Sequence, residues 1–149
     1  MATIRINGLD HYYEFEGQGP ALVLVHGAFG DTCMWDAQWE HFTSCCRVLR
    51  YDLRAHGQTG ASELDSYTID TFADDLHALL EALEIRDPVL CGQSFGGSIA
   101  QAFAVRYPQH LRGLILSGSM VAIDLTLMDK LLCRVFMPRW MMLLTIRML

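Results

Sequence analysis

The sequence predicts an α/β fold, a mostly parallel sheet with helices on both faces. Two observations predict it. Short apolar segments typical of buried strands alternate with segments whose apolar residues recur at helical spacing. Glycine-containing turns directly follow two of these apolar segments, at the strand ends where such sheets bind ligands. The 149 residues, 52% hydrophobic and 19% charged, suffice for one globular domain.

The chain opens with a predicted β-hairpin. Residues 4–6 and 11–15 flank the pair Asn7-Gly8, which favours a tight two-residue turn. The continuously apolar run Ala21–Val25 then predicts a strand that is covered on both faces.

Helical spacing first appears after this strand. Trp35, Trp39 and Phe42 predict a short helix, followed by a strand at Arg47–Tyr51 and a polar loop to about residue 66. The next helix is the most periodic element, and either Ser66 or Thr68 can cap its start. Its apolar stripe comprises Ile69, Phe72, Ala73, Leu76, Leu79, Leu80 and Leu83. We assign its acidic residues to a largely solvated opposite face: Asp70, Asp74, Asp75, Glu81 and Glu84.

The last regular part consists of a predicted strand at residues 88–91, a tight turn at 92–97, a helix of small residues ending near Pro108, and a strand at 111–117. We assign residues 1–120 to the N-terminal part of the core. Residues 121–149, rich in Leu and Met, are predicted to begin a helical cap or lid. The alternative is an exposed amphipathic end of an incomplete product.

The segment Gly92-Gln93-Ser94-Phe95-Gly96 is a G-x-S-x-G motif between a predicted strand and a predicted helix. A serine on so sharp a turn projects its hydroxyl beyond the sheet, and close packing there excludes side chains at the flanking glycines. Ser94 is therefore the candidate nucleophile. The Phe95 N–H, at the start of the helix, is a candidate donor to an oxyanion. The alternative is a glycine-rich turn with an incidental serine.

Two further motifs follow earlier strands: HGAFG at residues 26–30 and DLRAHG at 52–57. With the serine motif, and in this order, they resemble the α/β-hydrolase family over residues 4–119. That family carries an HG pair in its oxyanion loop and a D-x-R-G-x-G loop after its fourth strand, so Ala55 stands where glycine is usual. The resemblance implies that the second oxyanion donor is the backbone N–H of Ala28 or, as the alternative, of Phe29.

A serine nucleophile needs a histidine base oriented by a carboxylate, and in this family both follow the serine. After Ser94 the only histidine is His110, predicted at the opposite edge of the sheet. Two later aspartates precede any further core strand. We therefore expect the catalytic acid and histidine to be missing from this chain, which we interpret as truncated. His26 and His56 follow strands at the correct edge and are the alternative bases.

These features predict a serine hydrolase that forms an acyl-enzyme on Ser94 from an ester, thioester, lactone or related carbonyl substrate. A serine argues against a haloalkane dehalogenase or epoxide hydrolase of this fold, because those reactions need a carboxylate nucleophile. The competing interpretation is a non-catalytic fragment or a binding module of the same fold.

Composition and charge limit the classes of partner and cofactor that we expect. The net charge of −6 argues against nucleic acid, and the terminus MATIRINGLD lacks the apolar region of a signal peptide, so we expect a cytoplasmic protein. The five cysteines have no zinc-like spacing, and neither a ligand cluster nor a phosphate-binding glycine loop is evident, so no metal or organic cofactor is implied. His11, His41 and His77 are predicted to be ordinary, partly exposed side chains.

The apolar end of the chain, residues 131–149, is interrupted by Arg134, Pro138, Arg139 and Arg147, so no membrane span is predicted. An unfinished sheet edge at residues 111–117, together with the apolar cap segment, predicts self-association instead.

Overall fold

The computed structural model describes residues 2–63 and 66–119. Within them, six strands form one sheet in the order β1-β2-β4-β3-β5-β6. The strands β1 and β2, and β2 and β4, pair antiparallel, whereas β4, β3, β5 and β6 are mutually parallel. The strands are β1 (Ala2–Ile6), β2 (Leu9–Glu16), β3 (Ala21–Val25), β4 (Arg47–Tyr51), β5 (Val89–Gln93) and β6 (Gly113–Ser117).

The predicted hairpin is confirmed. Asn7 and Gly8, with φ of 45° and 78°, connect β1 to β2. Two consecutive residues at positive φ are what a type I′ turn requires, and its twist matches that of the strands it joins.

In the described part of the chain, three α-helices cover the sheet: α1 (Asp36–Thr43), α2 (Ile69–Ala82) and α3 (Phe95–Arg106). Short 3₁₀ turns occupy Thr32–Trp35 and Pro108–His110. Of the two predicted caps of α2, Thr68 is the one used, because its hydroxyl accepts from the Thr71 N–H in a capping box. None of the helices in residues 2–63 and 66–119 is long and apolar enough to cross a membrane.

Strand β3 is buried on both faces, as its continuous apolar run predicts. Val23 and Val25 face the larger core, which α2 and α3 fill with residues such as Phe72 and Phe103. Leu22 and Leu24 face the other side and pack near Trp35 and Trp39. Helices therefore cover both faces, and this confirms the predicted α/β class.

Several expectations need correction. Strand β5 extends two residues further than predicted, to Gln93, and β6 begins at Gly113 rather than at residue 111. Asp75 is buried rather than solvated, and His11 is fully buried rather than partly exposed. The predicted cap, residues 121–149, lies outside the described residues.

Candidate active site

Ser94 lies between β5 and α3, where the chain reverses from strand to helix. Its backbone adopts φ 51° and ψ −115°, a conformation that residues with a Cβ rarely occupy. The Ser94 N–H donates to the Ser117 carbonyl at 2.8 Å, and the Ser94 carbonyl accepts from the Gly97 N–H at 3.0 Å. The strained conformation is thus held from both sides, and the predicted sharp turn is confirmed.

The glycines around Ser94 permit a close approach between β5, α3 and β3. A Cβ on Gly92 would overlap the backbone of Gly96 and Gly97. A Cβ on Gly96 would overlap the carbonyl oxygens of Val25 and His26, at the end of β3. Glycine is therefore required on both sides of the serine, for the steric reason that the sequence motif predicts.

The loop after β3 runs beside the serine turn. Strands β3 and β5 pair in parallel, with Val25 as the partner of Gly92. The chain therefore leaves both strands at the same, carboxyl-terminal, end of the sheet. The contact is tight, because a Cβ on Gly27 would meet the carboxamide oxygen of Gln93. The HG loop and Ser94 are thus neighbours in space.

The two alternative oxyanion donors occupy the middle of one turn. The Gly30 N–H donates to the Gly27 carbonyl at 3.2 Å, which places Ala28 and Phe29 at the two central positions. Phe29 has φ 66°, and its side chain is exposed. Ala28 and Phe29 therefore both stay alternatives as donors.

The Phe95 amide lies at the first position of α3, before the intrahelical hydrogen bonds begin, so it carries part of the positive end of the helix dipole. The Phe95 ring is anchored in the core, edge-on to Phe72 with 5.1 Å between ring centroids. This anchoring fixes the backbone that presents the amide.

His26 is engaged through both ring nitrogens. The Leu53 N–H donates to His26 Nε2 at 3.0 Å, so Nδ1 carries the proton, and Nδ1 lies 2.8 Å from the Gly27 carbonyl oxygen. Burial lowers the pKa of His26, which favours this neutral form. His26 therefore ties the HG loop to the loop after β4, and neither nitrogen is available as a base.

His56 is buried beside His26, with ring centroids 5.3 Å apart in an edge-on arrangement. Its Nδ1 lies 2.9 Å from the Arg54 carbonyl oxygen, and its Nε2 is buried without a hydrogen-bond partner in the described part of the chain. His56 is thus a buried loop residue that packs against His26.

Asp52 organises the loop after β4. Its carboxylate accepts from the Thr32 N–H and the Gln58 N–H, each at 2.7 Å. Gly57 is required nearby, because a Cβ there would overlap this carboxylate. Asp52 thereby joins the loop after β4 to the loop after β3, and this role explains the aspartate and the last glycine of the DLRAHG motif.

Sequence reasoning missed the partner of Arg54. Both oxygens of the buried Asp75 carboxylate accept from this guanidinium, at 2.8 and 2.7 Å. A signal was present, since Asp75 stands three residues after Phe72 and four before Leu79, and thus on the apolar stripe of α2. An acidic residue in such a position predicts a buried cationic partner.

Comparisons with known proteins identify the family. A family model described as alpha/beta hydrolase fold matches residues 20–143. The 2-hydroxymuconate semialdehyde hydrolase of Pseudomonas sp. (strain CF600) is 35% identical over 122 residues, which is 79% of this chain and 41% of that protein. The chain therefore belongs to the alpha/beta hydrolase fold family.

Two solved structures are similar. A thermophilic esterase from Thermogutta terrifontis superposes with a TM-score of 0.79 at 35% identity, covering 89% of this chain and 49% of that one. The enol-lactonase from Burkholderia xenovorans LB400 superposes with a TM-score of 0.72 at 31% identity, covering 76% and 45%. This chain thus spans about half the length of these proteins or less.

Proposed function

We propose that this chain is the nucleophile-bearing half of a serine hydrolase that acts on an ester, thioester, lactone or related carbonyl compound. The observation that carries the proposal is the backbone of Ser94, held at φ 51° between β5 and α3. A conformation that costs about 1–3 kcal/mol is retained where the surrounding structure imposes it, commonly at reactive residues.

In the proposed reaction the Ser94 hydroxyl oxygen attacks the substrate carbonyl carbon while a histidine accepts the hydroxyl proton. The carbonyl oxygen becomes an oxyanion, stabilised by the N–H groups of Phe95 and Ala28, with Phe29 as the alternative to Ala28. The leaving group departs with the proton from histidine. Water then hydrolyses the acyl-enzyme and regenerates the serine.

The base and its orienting acid are proposed to come from outside the described residues. Two observations support this. His26 uses both nitrogens to hold loops together. His110 precedes β6 and so lies at the amino end of the strands, away from Ser94. A small-molecule carbonyl substrate agrees with the family, whose members reported above include an esterase and an enol-lactonase.

We further propose that residues 121–149 begin a cap over the pocket, and that β6 mediates contact between copies of the chain. Among the described strands β6 lies at one edge of the sheet, and Leu114, Ile115 and Leu116 are exposed along it. An edge strand with exposed apolar side chains is a template for pairing with an identical strand.

A chimera tests the catalytic proposal. Residues 1–119 are joined to the matching C-terminal half of the Thermogutta terrifontis esterase, and hydrolysis of p-nitrophenyl acetate is measured. We expect turnover that Ser94→Ala lowers by at least about a thousandfold, since a lost triad nucleophile leaves only weak residual catalysis.

Ser66→Ala is the matched control, because Ser66 is exposed in the loop before α2. It should leave turnover unchanged. A folded chimera that hydrolyses the ester equally well with alanine at position 94 would refute the nucleophile assignment. A folded chimera without turnover would instead favour the non-catalytic alternative.

A further inference from the structure

We propose that His77, Glu81 and His110 form a binding site for a divalent transition-metal ion, with Zn²⁺ as the representative. The site is separate from the proposed active site. Two imidazoles and a carboxylate are a common ligand set for such ions, whereas Mg²⁺ and Ca²⁺ prefer oxygen ligands alone.

The three side chains converge from two elements. His77 and Glu81 are four residues apart on α2 and thus on the same side of the helix. His110 ends the 3₁₀ turn that precedes β6. Each residue offers one possible ligand atom, and these three atoms all lie within 4.8 Å of one another.

These separations suit a tetrahedral ion after small side-chain adjustments. Bonds of about 2.0–2.1 Å to the metal place neighbouring ligand atoms about 3.3 Å apart. His110 Nδ1 and Glu81 Oε1 are already 3.6 Å apart. The His77 ligand atom lies within 4.8 Å of the other two, so it has to move by up to about 1.5 Å, through rotation about the side-chain torsions of the half-buried His77.

The histidine rings pack against neighbouring rings, which limits the conformations that their side chains adopt before an ion binds. His77 stacks on Tyr107 with 4.0 Å between ring centroids, and His110 lies edge-on to His77 at 5.1 Å. Tyr107 is itself held by its hydroxyl, which donates to Asp74 at 2.7 Å. Asp74 belongs to α2, so the helix and the turn are already braced against each other.

The position of the site indicates a structural role. His110 lies three residues before the start of β6, whereas Ser94 follows the end of β5, which is parallel to β6. The site therefore lies at the amino ends of the parallel strands, whereas the serine lies at their carboxyl ends. An ion there would link α2 to the connection between α3 and β6, and would stabilise the folded chain by preferential binding to it.

Metal titration of the 149-residue chain tests the site. Cys45 and Cys46 have sulfur atoms 3.8 Å apart and would compete for Zn²⁺, so they and Cys133 are first replaced by serine. Zn²⁺ affinity is measured by competition with a chromophoric chelator, and the coordination geometry by the absorption of bound Co²⁺. We expect one equivalent bound, a tetrahedral Co²⁺ spectrum and a raised melting temperature.

In this background His77→Gln, Glu81→Gln and His110→Gln should each weaken binding at least about tenfold, the minimum seen when even an outer-shell partner is lost. Each should also reduce the thermal shift measured at the same Zn²⁺ concentration. His41→Gln, at an exposed histidine on α1, is the matched control and should bind as the parent does. Circular dichroism verifies that each variant is folded.

Absence of saturable binding, or equal affinity in the three variants and the control, would overturn the proposal. The approach of His110 to Glu81 would then be a polar contact only. These outcomes do not depend on hydrolase activity.

Discussion

The Arg54 guanidinium donates one hydrogen bond to each oxygen of the Asp75 carboxylate, in the interior of the protein. Asn7, from the first hairpin, donates to the same carboxylate at 2.9 Å, and His11 Nε2 lies 3.5 Å from it. The carboxylate thereby joins α2 to the hairpin and to the loop after β4. Burial alone would raise the pKa of Asp75, but the neighbouring His11 and the hydrogen bonds from Arg54 and Asn7 lower the pKa below its ordinary value.

Asp75→Asn should lower the free energy of unfolding at pH 7 by about 3 kcal/mol, because Arg54 is left buried without its counter-charge. Since the folded-state pKa of Asp75 is lowered, its ionised form stabilises the protein above the unfolded-state pKa of about 3.9. That contribution is lost as pH falls through the folded-state pKa. The free energy of unfolding, measured with urea, should therefore fall less between pH 7 and pH 3 in the variant than in the wild type.

Asp10→Asn is the matched control for this experiment. Asp10 pairs with Arg5 at 3.1 Å, and both side chains are exposed. Exposed pairs contribute little. A loss of stability as large as that of Asp75→Asn would contradict the assignment of a special role to the buried pair.

Ala55→Gly should stabilise the chain by about 1 kcal/mol. Ala55 has φ 60°, in the left-handed region. This conformation costs a residue with a Cβ about 1–2 kcal/mol. Glycine avoids that cost, and its greater freedom in the unfolded chain offsets only part of the gain in stability. Urea unfolding measures the change. Ala61→Gly, in the same loop and without positive φ, should be neutral or destabilising. A stabilisation of equal size there would mean that backbone strain at Ala55 is not the cause.

Ser94→Gly should be more stable than Ser94→Ala by about 1–2 kcal/mol. Both substitutions remove the hydroxyl, but only glycine adopts φ 51° and ψ −115° without steric cost. Thermal and urea unfolding of the two variants give the comparison directly. Equal stabilities would indicate that the backbone relaxes when the hydroxyl is absent.

The 149-residue chain alone should hydrolyse p-nitrophenyl acetate at a rate that Ser94→Ala does not change. Without a histidine to accept its proton, the serine hydroxyl is a poor nucleophile. Initial rates of the two proteins at equal concentration are the measurement. Turnover that requires Ser94 would show that an internal group acts as base, and His56→Gln would then be the variant to test.

Self-association of the chain should increase with concentration in the micromolar range and decrease in Ile115→Lys, because a charge on an exposed edge strand opposes strand pairing. Ile115 is 50% exposed on β6. Sedimentation velocity measures the distribution of species. Val105→Lys, at a residue 82% exposed on α3, is the control and should associate as the wild type does. A monodisperse wild-type monomer would contradict the prediction.

Local patterns predicted the elements that position the site. Apolar continuity predicted β3, helical spacing predicted α2, and the glycines around Ser94 predicted the sharp turn, because each signal depends on neighbours in the chain. The structure differs where the partner is distant. The position of Asp75 on the apolar stripe of α2 indicates burial, but nothing near it in sequence identifies Arg54, Asn7 and His11 as its partners.

The same reason applies to His77, Glu81 and His110. The pair on α2 has helical spacing, but the third residue reaches it only because the connection after α3 returns beside α2. Sequence spacing alone does not indicate that these three residues lie close together. The role of His26 in holding two loops likewise depends on the order of strands in the sheet, which a local motif does not specify.

The pairing of Val25 with Gly92 also has a kinetic consequence. The two loops beside Ser94 come from strands separated in sequence by α1, β4 and α2, so they meet only after this long stretch of chain has closed. Closing long loops loses chain entropy before contacts compensate for it, and this slows parallel pairing. During refolding, a pair of fluorescent probes reporting the approach of the loop after β3 to the loop before α3 should therefore respond later than the far-ultraviolet signal of the helices.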